Sequence, residues 1–117
     1  MYNQAMDDFY EHYHSLYGHD VVVTYKDGTR FRARYLDFDV QDDYDDHPIA
    51  DWYEIQPVNG SDSRLCYQVK AQDVFSIVTY DPKTMRCVPP RPGESEKLAE
   101  LRKQGFMPVE DIPEGKT

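Results

Sequence analysis

The chain has 117 residues, with 22 Asp and Glu against 13 Lys and Arg for a formal net charge of −9, and it is 39% hydrophobic and 14% aromatic. That length fits one domain with a real core, and ten Tyr, five Phe and one Trp exclude a chain disordered throughout. The acidic balance disfavours a phosphate-binding surface as the main business, because nucleic-acid affinity comes largely from Lys and Arg releasing counterions.

In chain order, Met6, Phe9, Tyr10, Tyr13, Leu16 and Tyr17 recur at spacings of three and four, which predicts an amphipathic helix over residues 3–17 with its aromatic stripe in the core. Asn3 can cap it and Gly18 can end it. His12 and His14 point to different sides of such a helix, so they do not form a shared metal site. Val21 to Tyr25 reads as a strand, Asp27-Gly28 as a hairpin turn, and Phe31, Ala33 and Tyr35 as the inward face of the next strand. Arg30, Arg32 and Arg34 then share its outward face, either paired with neighbouring acids or serving as a phosphate-contacting ridge.

The charge is concentrated in the middle of the chain. Between Tyr35 and Ser63 there are nine acids and no Lys or Arg, so this window carries the whole net charge. Asp39 to Asp51 is too polar to bury and too rich in Asp for a strand, which predicts an exposed loop. Strands are expected at Trp52 to Gln56, at Leu65 to Lys70 after a turn at Asn59-Gly60, and at Val74 to Tyr80 after a tight Ala71-Gln72-Asp73 link. Five short strands behind a helix suggest a closed or nearly closed antiparallel barrel.

Asp81-Pro82 ends that pattern, dividing the chain into a helix and barrel over residues 1–81 and a tail over 82–117. In the tail, Cys87 to Pro92 reads as a stiff Pro-rich connector, Glu94 to Gln104 as a short helix ended by Gly105, and Phe106 to Ile112 as an extended piece docked back on the barrel. The last residues, Pro113 to Thr117, are expected to fray. Cys66 and Cys87 have no metal or redox spacing and read as free thiols. No stretch approaches the roughly eighteen apolar residues of a membrane span, and the N-terminus lacks a signal peptide's pattern. A cytoplasmic protein is the expectation.

The order of elements, and the register of Gly28, Phe31, Ala33, Tyr35, Phe38 and Asp39, resemble the Sm-like (LSm) family and, more broadly, SH3-like small barrels over about residues 3–80. The resemblance implies a mainly β (α+β) fold: an N-terminal helix, a strongly bent five-stranded antiparallel barrel, and a C-terminal short helix and extended tail. It also implies RNA binding in a ring built through strand edges, by way of Arg30, Arg32, Arg34 and Lys70. The matching positions depart from that activity. Asp43 stands where the family holds a base-contacting Asn, and of the second motif's basic residues only Lys70 remains.

No nucleophile motif, Gly-rich phosphate loop or paired-ligand His spacing is present, so an enzyme is not expected. The Asp run lacks the ligand spacing of a calcium loop; no cofactor or metal is expected, and divalent-cation binding is an alternative. The leading expectation is a non-enzymatic acidic protein that docks on a basic protein surface, such as that of a nucleic-acid-binding protein, through Asp37, Asp39, Asp42, Asp43, Asp45, Asp46 and Asp51, with Tyr44, Trp52 and Tyr53 adding contact area. Such a protein acts as a nucleic-acid mimic or inhibitor, in the manner of phage-encoded anti-defence proteins.

Overall fold

A computed structural model describes residues 4–40, 50–58 and 65–113. Helix α1 spans Gln4–Ser15, and it leads into strands β1 (Asp20–Tyr25), β2 (Arg30–Val40), β3 (Ala50–Gln56) and β4 (Tyr67–Lys70). A single 3-10 turn, Ala71–Asp73, connects to β5 (Val74–Thr79). The chain closes with β6 (Met85–Cys87), α2 (Glu96–Gln104) and β7 (Met107–Asp111).

The result is a mainly β fold with two helices on an open antiparallel sheet of order β4-β3-β2-β1-β5. Two expectations need correction. The sheet is open, because β4 and β5 lie at opposite ends of the path and the short turn between them carries the chain across without pairing them. There are seven strands among the described residues, not five, since β7 pairs with β2 and β6 pairs with β7. The tail runs back along β2, pairing at Phe31 and Arg32. Cys87, read as the start of a connector, belongs to β6.

The hairpin forms as its turn residues dictate. Gly28 sits at φ 94°, where a side chain would be strained, and Asp27 Oδ1 accepts the Thr29 amide at 2.9 Å. From there β2 alternates inward and outward: Phe31 and Ala33 are fully buried and Tyr35 nearly so, beside Val21, Val23, Ile55 and Ile77. At Leu36 the strand bulges, since Tyr35 opposes Ile55 and Asp37 already opposes Glu54. An extra residue of this kind bends a strand and re-aims its side chains.

Helix α1 stops at Ser15, earlier than its apolar spacing suggests, and the 3.6-residue period does not carry on to Tyr17. Leu16 is therefore buried while Tyr17 is 69% exposed, a correction to the inward stripe. The side chains of Met6, Phe9 and Tyr10 fall outside what the structure describes. At the other end Ser95 Oγ caps α2 by accepting the Leu98 amide, so the helix starts at Glu96 and leaves Glu94 to clasp Arg102 at 2.8 Å. Gly105 ends the helix in the left-handed region, and Phe106 drops into the core against Phe31 and Tyr67.

Three carboxylates, one joining the tail to the hairpin turn and two pairing within the tail, are held below their usual range. Hydrogen bonds from Lys97 and then Thr29 draw Asp27 to about 2, a bond from Arg102 lowers Glu94, and one from Arg86 lowers Glu110. A carboxyl depressed in the folded state stabilises it above the unfolded value, roughly pH 4, and that contribution is lost as pH falls through the folded value. Stability should therefore decline on acidification from about pH 5 to about pH 2. Combining Asp27→Asn, Glu94→Gln and Glu110→Gln should flatten the decline; urea midpoints taken across that range would refute this if both proteins gave the same slope.

Candidate acidic docking face

The second half of β2, with β3 and β4, presents two faces of opposite character. Tyr53 and Ile55 point into the core, so Trp52 and Glu54 point out. Register then aligns two rows across the three strands. Asp37 opposes Glu54, which opposes Gln68; Asp39 opposes Trp52, which opposes Lys70. Asp37, Phe38, Trp52, Glu54 and Gln68 line a cavity of about 260 Å³ there.

Like charges set opposite one another across a strand pair are unfavourable, yet Asp37 and Glu54 face each other without a base between them. Among the described residues no ion pair joins Asp37, Asp51 or Glu54 to a Lys or Arg. Asp37 Oδ1 accepts its neighbour's amide, Phe38 N–H, at 2.8 Å. Glu54 Oε1 accepts the Cys66 thiol at 3.3 Å, which pushes that thiol's pKa up.

The basic ridge has the opposite fate. Arg30 pairs with Asp111 at 2.9 Å, Arg32 with Asp20, and Arg34 reaches the same Asp20 at 4.0 Å. Arg32 also lies over the Tyr80 ring, 4.4 Å from its centroid. The ridge is thus largely neutralised, by acids outside the acidic window. Comparison of the chain with protein-family models, curated proteins and solved structures returned no match. Function must therefore be argued from the site itself.

Of the residues that the sequence groups as an interaction surface, the structure brings Asp37 and Trp52 to one face; Asp51, which precedes Trp52 in β3, is exposed. Asp39 shares the ladder through its backbone. Asp42, Asp43, Tyr44, Asp45 and Asp46 lie outside the described residues. Tyr53 is a correction: it is 6% exposed and belongs to the core, because its register places it inward beside Val69. Glu54, in the sequence one of the nine acids of the window but not grouped with the interaction surface, joins the face, as does Gln68, which nothing in the sequence singles out; strand register reveals both. Lys70 is exposed at the end of β4, across from Trp52 and remote in sequence from the ridge.

His12 Nε2 lies 3.4 Å from the Ile77 carbonyl, while the His14 ring meets Phe38 edge-on. Among the described residues no three His, Cys, Asp or Glu are placed to hold a metal ion, and no helix is long and apolar enough to cross a membrane.

Behind the face lies a tyrosine cluster. Tyr53 donates its hydroxyl hydrogen bond to the Tyr13 oxygen at 3.2 Å, and the Tyr35 hydroxyl is buried with no partner. Burial first, then Tyr53, Tyr13 and Asp37, pushes Tyr35 well above the usual tyrosine range. An orphaned buried hydroxyl costs stability that a made bond returns. Tyr35→Phe should therefore raise stability by about 1 kcal/mol and Tyr53→Phe lower it by about 1 kcal/mol, as urea unfolding of the two variants would show; the reverse order would refute the assignment.

Proposed function

We propose that this protein is a non-enzymatic binding module on an Sm-like small β scaffold, and that it docks its acidic face on a basic protein surface such as a nucleic-acid-binding site. The observation that carries the reading is the segregation of charge along β2. Its first half holds three arginines matched by Asp20 and Asp111, whereas Asp37 in its second half, with Asp51 and Glu54 on β3, has no matching base among the described residues.

A folded protein with only solubility to serve gains nothing from opposing Asp37 to Glu54. A partner's cations would relieve that repulsion, and the exposed flank of Trp52 would add contact area. The acidic stretch of residues 39–51 continues the same sign, so a basic surface that ordinarily holds phosphates meets carboxylates instead. Direct RNA binding is poorly served by this arrangement, since the arginines that would contact phosphate are already paired.

The test is a salt titration of binding to an arginine-rich RNA-binding protein, with oligo-uridine in parallel. Affinity for the basic protein should fall steeply between low and physiological salt. Replacing Asp37, Asp42, Asp43, Asp45, Asp46 and Asp51 by Asn and Glu54 by Gln should weaken low-salt binding by about a hundredfold. A flat salt response, or tighter binding to oligo-uridine than to the basic protein, would sink the reading.

A further inference from the structure

The bulge at Leu36 gives β2 a second cavity, and the two cavities share Asp37 and Phe38. The second one, about 230 Å³, lies between the end of α1 and the bent strand: Tyr13, His14 and Tyr17 line one side, Tyr35, Leu36 and Phe38 the other. It exists because the chain after α1 is tied to β2 at Tyr35, where the Gly18 amide donates to the Tyr35 carbonyl and the Tyr35 amide to the His19 carbonyl. The next residue of β2 is the bulged Leu36.

Three features define what fits. The walls are mostly aromatic, and Tyr17 stands 69% exposed at one side, surface that a flat ring would cover. The volume falls below the roughly 300–1,000 Å³ of small-molecule sites and suits a single side chain. Asp37 is exposed and lines this groove as well as the acidic cavity, whereas the Tyr35 hydroxyl is closed off behind the aromatic wall.

We propose that this groove receives the indole of a Trp flanked by Arg or Lys in the basic partner. Tryptophan supplies the large flat ring that walls of Tyr13, Tyr17 and Phe38 can cover on both sides, and such rings dominate the buried anchors of interfaces. The shared Asp37 draws the flanking cations toward the acidic cavity beside it. The inference rests on the docking function proposed above and specifies its anchor.

The test uses two fluorescently labelled peptides, Arg-Arg-Trp-Arg-Arg and Arg-Arg-Ala-Arg-Arg, titrated with the full chain at low and physiological salt. The Trp peptide should bind about tenfold tighter, a typical margin for an aromatic anchor. Tyr17→Ser should erase that margin, and Phe75→Ser, on β5 and outside both cavities, should preserve it. Equal affinities for the two peptides, or a margin that survives Tyr17→Ser, would overturn the groove while leaving acidic docking in place. A Trp margin between two affinities that neither fall with salt nor weaken on Asp37→Asn would keep the groove and overturn acidic docking. No binding of either peptide would overturn both.

Discussion

Ending the chain at Gly93 is expected to abolish cooperative unfolding. The segment removed holds Leu101, Phe106 and Val109, each no more than 7% exposed, and at about 1.5–3 kcal/mol for each buried side chain their loss approaches the 5–15 kcal/mol by which a domain is stable at all. It also strips β7 from β2, leaving the backbone of Phe31 and Arg32 unpaired on that side. Arg30 loses Asp111, and the Asp27 turn loses Lys97, which also lies over the Tyr25 ring at 4.2 Å. Guanidinium titration followed by circular dichroism would settle the matter: a sharp transition near the full-length midpoint would mean that the first 93 residues fold alone.

How the tail joins the sheet is less legible in the sequence than the elements before residue 81, and the reason is physical. The helix α1, the hairpin and the strands through β5 announce themselves by alternation and by turn residues, and each lies within a few residues of where those signals put it. The two later strands do not. Met85–Cys87 is too short to show a period, and Met107–Asp111 carries Pro108, whose missing N–H argues against a strand. Pro108 nevertheless pairs with Phe31 and its carbonyl accepts the Val88 amide at 2.8 Å, so the ring's lost donor leaves its acceptor in use.

The candidate site divides along the same line. Charge segregation is visible in the sequence because it depends only on which residues are neighbours in the chain. The meeting of Asp37, Glu54 and Gln68 depends on register across three strands, and the bulge at Leu36 shifts that register by one residue. Tyr53 shows the consequence: adjacent to Trp52 and of similar chemistry, it faces the core because a strand alternates. The neutralised ridge is legible in the sequence only as one of two readings, since Asp20 is twelve residues from Arg32 and Asp111 lies on a strand that the sequence does not reveal.

Replacing Phe31 by Ala should cost about 3–5 kcal/mol, the range for removing a large ring from a packed core. Phe31 has no exposed surface and lies 5.3 Å from the Tyr25 ring and 5.0 Å from Phe106, while its backbone pairs with Val23 on one side and Pro108 on the other. It is the residue at which hairpin, bent strand and tail converge, so the cavity left by the ring opens beside all three. Phe75→Ala, at a position 75% exposed, should change stability by no more than about 0.5 kcal/mol and serves as the control. Because Phe31 and Phe106 touch, the double variant should cost less than the sum of the two singles by about 1 kcal/mol. Strict additivity in urea unfolding would mean that the Phe31 and Phe106 rings contribute independently of one another.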